Sequence, residues 1–119
     1  MKDNNWKKQT IRDTFLSVLL SLNQSNDIVY SLNRIGAKGI PQSDNSNPVI
    51  KWIKDTTQRD VLLRHDYMNG SIEIKCDDKV YGFFELGRIN EFLYLFDKEK
   101  YLQLIDPIFT QQLNSALAL

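Results

Sequence analysis

The chain has 119 residues, 42% hydrophobic and 25% charged, with 15 Lys/Arg balanced by 15 Asp/Glu. That is the profile of one ordinary globular domain, with enough apolar mass to build a core without disulfides or a structural metal. The single cysteine excludes an internal disulfide and a Cys-rich zinc site, and the single histidine excludes a multi-His metal centre.

The neutral balance hides an asymmetry. Residues 1–59 carry nine Lys/Arg against five Asp/Glu, a net +4, and residues 60–119 carry six against ten, a net −4. Such a split suits complementary self-association or a nucleic-acid surface. The longest early apolar run, Phe15 to Leu22, is broken by Ser17 and Ser21. It falls well short of the roughly 18–20 residues of a membrane span. Lys7, Lys8, Arg12 and Asp13 stand where a signal peptide would place its apolar core. A cytoplasmic location without membrane contact is the expectation.

In chain order, Met1 to Asn5 is polar. A first helix is predicted from about Trp6 or Thr10 to Leu22, because Ile11, Phe15, Val18, Leu19 and Leu22 repeat with a 3.6-residue period. Leu16 and Leu20 widen its apolar face. Ser25 or Asn26 is the expected cap of a second helix, with Asp27 at its positive end and Ile28, Val29, Leu32 and Ile35 as its stripe. Gly36 suits the position just past its end. Residues 36–47 hold two Gly, one Pro and several Ser, Asn and Asp, which reads as a long surface loop. Asn47-Pro48 is a cap followed by proline and predicts a third helix, with Val49, Ile50, Trp52 and Ile53 inward.

Residues 60–86 are read as a three-stranded antiparallel meander. Asn69-Gly70 predicts a two-residue turn of type I′, in which both central residues take positive φ. That turn pairs Tyr67 with Ile72, His65 with Ile74 and Leu63 with Cys76. Val61, Leu63, His65, Tyr67, Ile72, Ile74 and Cys76 then share the inner face, and Leu62, Arg64, Asp66, Met68, Ser71, Glu73 and Lys75 the outer. The pairing has a flaw: it sets Asp66 opposite Glu73 and Arg64 opposite Lys75, like against like. Asp77-Asp78 marks the second turn. If it is a two-residue loop, Tyr81 and Phe83 face inward; if three, Val80, Phe84 and Leu86 do. Apolar residues on both sides predict a third strand covered on both faces.

A fourth helix is expected from about Arg88 on Ile89, Phe92, Leu93 and Phe96, with Asp97 capping a further turn that carries Tyr101, Leu102 and Ile105. Asp106-Pro107 predicts a last helix through Ile108, Phe109, Leu113 and Leu117. The expected fold class is therefore α+β: a meander over about 60–86 packed against N-terminal and C-terminal helices, in one domain spanning 1–119.

No phosphate loop, dinucleotide fingerprint, H-E-x-x-H, G-x-S-x-G or EF-hand spacing occurs. His65 and Asp66 are strand neighbours and point to opposite faces. Cys76 shares a face with His65 but lies too far along the hairpin for a Cys–His couple. No catalytic residue, metal or cofactor is expected. Three functions are consistent with this inventory. The first is a non-catalytic interaction or regulatory module, with self-association as one form of it, contacting its partner through Trp6, Tyr81, Phe83, Leu117 and Leu119. The second is a winged-helix-like DNA binder using Lys51, Lys54, Arg59 and Arg64 on phosphates. The third is a small enzyme with its site under the 36–47 loop.

Overall fold

The structure, a computed structural model, describes residues 10–108. The elements follow as α1 (Ile11–Asn23), α2 (Ile28–Arg34), α3 (Pro48–Thr57), β1 (Leu62–Asp66), β2 (Ser71–Cys76), β3 (Lys79–Phe83), α4 (Gly87–Asp97) and a 3₁₀ turn at Leu102–Leu104. The strands form one antiparallel sheet in the order β1-β2-β3. Fold class is thus α+β, as the periodicities imply.

Each helix begins where a side chain satisfies an otherwise unbonded N–H. Thr10 accepts from the Asp13 N–H at 3.0 Å, and Asn47 from the Ile50 N–H at 3.0 Å. For α2 the cap is Asp27 itself, accepting from the Tyr30 N–H at 3.0 Å, rather than Ser25 or Asn26. α4 has no side-chain cap of its own at Leu86. Its first turn is served from a distance: the Ile89 N–H donates to Asn23 Oδ1 at 3.0 Å. In return, the Arg88 guanidinium donates to the carbonyls of Asn23, at 2.8 Å, and Ser25, just past the end of α1.

The first hairpin corrects the predicted turn. Asp66 pairs with Ser71, His65 with Ile72, Arg64 with Glu73 and Leu63 with Ile74. Residues 67–70 therefore form a four-residue loop. Asp66 accepts from the Asn69 backbone N–H at 3.2 Å and from the Asn69 side-chain amide at 2.6 Å. The Gly70 N–H closes on the Tyr67 carbonyl at 3.3 Å, and Gly70 alone in the loop takes positive φ, +69°. The register differs from the expected one by two residues, so the faces are preserved while the pairing flaw disappears: Arg64 now stands opposite Glu73. Tyr67 leaves the inner face and stacks on Tyr94, with ring centroids 4.6 Å apart.

The second turn is the two-residue Asp77-Asp78 loop, with Asp77 at φ +57°. Parity then sends Phe83 inward to 1% exposure, while Val80 and Phe84 are 59% and 65% exposed. The expectation of a third strand covered on both faces is thereby corrected: among the described residues, helices lie on one side of the sheet only. That side is the core, where Leu63, Ile72, Ile74 and Phe83 meet Phe15 and Leu19 of α1, Ile53 of α3, and Ile89, Leu93 and Phe96 of α4. The Trp52 indole N–H donates to the Val18 carbonyl at 3.1 Å and locks α3 to α1.

Residues 36–47 are not a free loop. Ala37 is fully buried, and Gly39 forms a parallel bridge with Ile105. The Gly39 N–H donates to Leu104 O at 2.9 Å, and the Asp106 N–H donates to Gly39 O at 2.8 Å. Gly39 is required by close approach: a Cβ there would come within 2.8 Å of both Asn47 C and Pro48 Cδ, and nearer still to Asn47 Cα. Asp97 does not cap the segment after α4; it reaches this loop instead. Asp106 accepts from the Ile108 N–H at 2.8 Å, as the cap-then-proline signal implies. The rest of that last expected helix lies outside the described residues.

Gly39→Ala is expected to destabilise the domain by at least about 1–3 kcal/mol, the scale of overpacking against backbone that cannot yield. Gly87→Ala, where a Cβ meets nothing within 4 Å, should be neutral or stabilising by up to about 1 kcal/mol. Urea unfolding of the two variants checks the pair.

Candidate functional site

Two surfaces carry the chemistry of the molecule, and they meet at Asp44 and Arg64. The first is a cleft of about 310 Å³ beneath the 36–47 segment, lined by Gln42, Ser43, Asp44, Asn47, Leu63, Arg64, His65 and Asp97. Asp97 stands at the C-terminal end of α4. One carboxylate oxygen accepts from the Gln42 N–H at 2.7 Å, and the other lies 2.9 Å from His65 Nε2. One side chain thus joins α4, β1 and the loop.

Ser43, His65 and Asp97 together are the residue types of a nucleophile, base and orienting acid. The geometry does not assemble them. Ser43 Oγ donates to Asn45 Oδ1 at 2.8 Å. The remaining ring nitrogen of His65, Nδ1, is enclosed without a partner, so it has no path to a serine hydroxyl or a substrate proton. Cys76 is 5% exposed and lies four residues beyond Ile72, the partner of His65, or about 13 Å along the strand. Among the described residues, no three His, Cys, Asp or Glu groups converge to hold a metal ion. The cleft is a latch built on a carboxylate.

The second surface is the face of the sheet that carries no helix among the described residues. Its residues fall in rows across the strands: Leu62, Lys75 and Val80; then Arg64, Glu73 and Gly82; then Asp66 and Ser71, with Phe84 just beyond the end of β3. Leu62 is 40% exposed, and a shallow cleft of about 310 Å³ runs between Asp44, Leu62, Arg64, Glu73, Lys75 and Val80. Arg64 Nε lies 3.3 Å from Asp44 Oδ2, and the Leu63 N–H donates to the Asp44 carbonyl at 2.8 Å. The outer edge of β1 is thereby engaged by the loop.

Of the residues expected to contact a partner, Phe83 is in the core, beneath the Arg12 guanidinium at 4.6 Å from the ring centroid. Tyr81 is half-buried and edge-on to Phe15 at 5.6 Å. Trp6, Leu117 and Leu119 lie outside the described residues. The exposed apolar side chains of the strands are instead Leu62, Val80 and the adjoining Phe84, with Met68 at the hairpin tip. Counting Asp77-Asp78 as a two-residue loop is the signal that identifies Val80 and Phe84, since it fixes the parity of β3.

The cations offered for phosphate contact are largely engaged. Lys51 pairs with Asp55 at 2.9 Å, Lys54 with Asp60 at 2.9 Å, and Arg64 with Asp44. Asp60, through its hydrogen bond and then its charge, holds the Lys54 ammonium above the usual lysine range. Arg59 is exposed just past α3. The braced 36–47 segment separates α2 from α3 and leaves no helix-turn-helix. No helix among the described residues is long and apolar enough to cross a membrane. Comparison of the chain with protein-family models, with curated proteins and with solved structures finds no match.

Asp97→Ala is expected to cost about 1–3 kcal/mol, because it leaves the His65 ring and the Gln42 N–H unpaired. In a His65→Leu background the same change should cost less, since the enclosed ring is already gone. A double-mutant cycle in urea measures that difference.

Proposed function

We propose that this protein is a non-catalytic interaction module, regulatory or adaptor-like, that docks a protein partner on the open face of its sheet. The observation that carries this reading is the exposure of Leu62, Val80 and Phe84, at 40%, 59% and 65%, on the side that the helices among the described residues leave bare. Apolar side chains gathered on one surface and rimmed by charge are the anatomy of a docking patch. Here the charges are Arg64, Glu73, Lys75 and Asp66, paired across strands or set at the margins. Burying a side chain such as Phe84 or Val80 in an interface is worth up to roughly 1.5–3 kcal/mol.

The latch geometry supports the same reading from the other side. It braces β1 from behind, so the face is presented by a rigid scaffold. The enzyme reading gains no support from Ser43 and His65, whose polar atoms are engaged or enclosed. The nucleic-acid reading is weakened by cations already held by carboxylates.

Val80→Lys combined with Phe84→Lys should leave the unfolding midpoint nearly unchanged, because both sites are exposed. The same variant should weaken association at least tenfold, whether with a partner protein or with a second copy, in paired affinity capture and sedimentation experiments. Equal association of the wild type and the variant would remove the sheet face as the docking surface.

A further inference from the structure

We propose that the partner is a second copy of the chain, joined by antiparallel pairing of β3 with β3 of the other copy about a two-fold axis at Gly82. The proposal rests on the docking role of Val80 and Phe84 and places both at the seam, on the β3 margin of the open face. Two observations support it.

The first is the asymmetry of the sheet edges. β1 has its outer edge engaged by Asp44, whereas β3 pairs with β2 alone among the described residues. Across the two-residue turn, Cys76–Lys79, Ile74–Tyr81 and Ile72–Phe83 are the pairs that exchange hydrogen bonds. Val80 and Gly82 therefore direct their N–H and C=O groups away from β2. β3 contains no proline, and its one charged residue, Lys79, stands at its end, so the usual protections of an edge strand are sparse.

The second is self-complementarity. Residues 80–84 read Val-Tyr-Gly-Phe-Phe. Inverted on itself about Gly82, the segment places Val80 opposite Phe84 of the other copy, one apolar cross-strand pair on each side of the axis. Both side chains are exposed on the outer face. Glu85, at φ +63°, turns the chain out of the strand, so the pairing stops at Phe84. Shifting the inversion centre by a residue parts Val80 from Phe84.

A Cβ on Gly82 projects from the open face and meets nothing within 4 Å, so a cysteine is tolerated at the axis. An isologous contact of this kind closes after two subunits and yields one six-stranded sheet. Val80 and Phe84 of both copies then lie together on its open side.

The test is site-directed cross-linking of the full chain under mild oxidation. At the axis the two Cα atoms stand about 5.5 Å apart, within disulfide reach. Gly82→Cys should give a covalent dimer as the main product. Glu73→Cys, one strand further in, should give none, since three strand spacings, about 14 Å, separate the two sites. The wild type, whose Cys76 is buried, is the control. In sedimentation, Val80→Lys should weaken the dimer at least tenfold, and adding Phe84→Glu, which sets an ion pair across the axis, should restore association. Efficient cross-linking through Glu73→Cys would mean stacked faces and would overturn the strand pairing. A strict monomer at high micromolar concentration would overturn the second copy as partner. The docking role itself would still stand if such a monomer captured another protein and lost it with Val80→Lys and Phe84→Lys.

Discussion

The carboxylate of Asp66 decides the sheet. By holding both the backbone and the side chain of Asn69, it makes the connection four residues long and lets Gly70 alone take the left-handed conformation. The mouth of that loop is held from behind by Asn90 of α4, 3% exposed, whose amide donates to the carbonyls of Asp66 and Ser71 at 3.3 and 3.4 Å. From this clamp follows the register, and from the register the opposition of Arg64 and Glu73. Slid two residues further, the same strands would oppose like charges in two places. The cross-strand pairing of the hairpin follows from one small polar network.

The helical periodicities and the cap at Asn47-Pro48 are local properties, and they are legible in the chain. So is the inner face of the hairpin apart from Tyr67, because an even shift in register keeps every side chain that remains paired on its own side. The loop length is not legible: Asn69-Gly70 satisfies a two-residue turn equally well, and the choice lies with Asp66 and with a buried amide on α4. Asp97 reads as a helix cap from its neighbours alone. Its actual partners, Gln42 and His65, are 55 and 32 residues away in the chain. The apolar outer residues Val80 and Phe84 are hidden in a strand so uniformly hydrophobic that parity shows only once the turn is counted.

The segment from Gly36 to Asn47 illustrates how composition can mislead. Its Gly, Pro, Ser and Asn suggest a surface excursion, yet it is bonded to the 3₁₀ turn, to Asp97 and to the edge of β1. Gly39 is there because the chain passes too close to Asn47 for any side chain. The polar residues supply turn hydrogen bonds inside a fixed brace. That rigidity, set behind β1, leaves β3 as the sheet edge without a strand or loop laid against it among the described residues.

The exchange between Arg88 and Asn23 has a consequence for how the chain can be divided. α4 starts without a cap of its own, and α1 ends with carbonyls that a guanidinium 65 residues away must satisfy. Each helix terminus is therefore completed by the other, and neither is finished until both are in place. Such reciprocal dependence over a long sequence separation ties the early and late segments of the described chain to one another. A fragment that stops after the sheet would lose the cation at the end of α1, and one that starts at the sheet would fray the opening turn of α4. Among the described residues, any cut between α1 and α4 opens the ends of both helices.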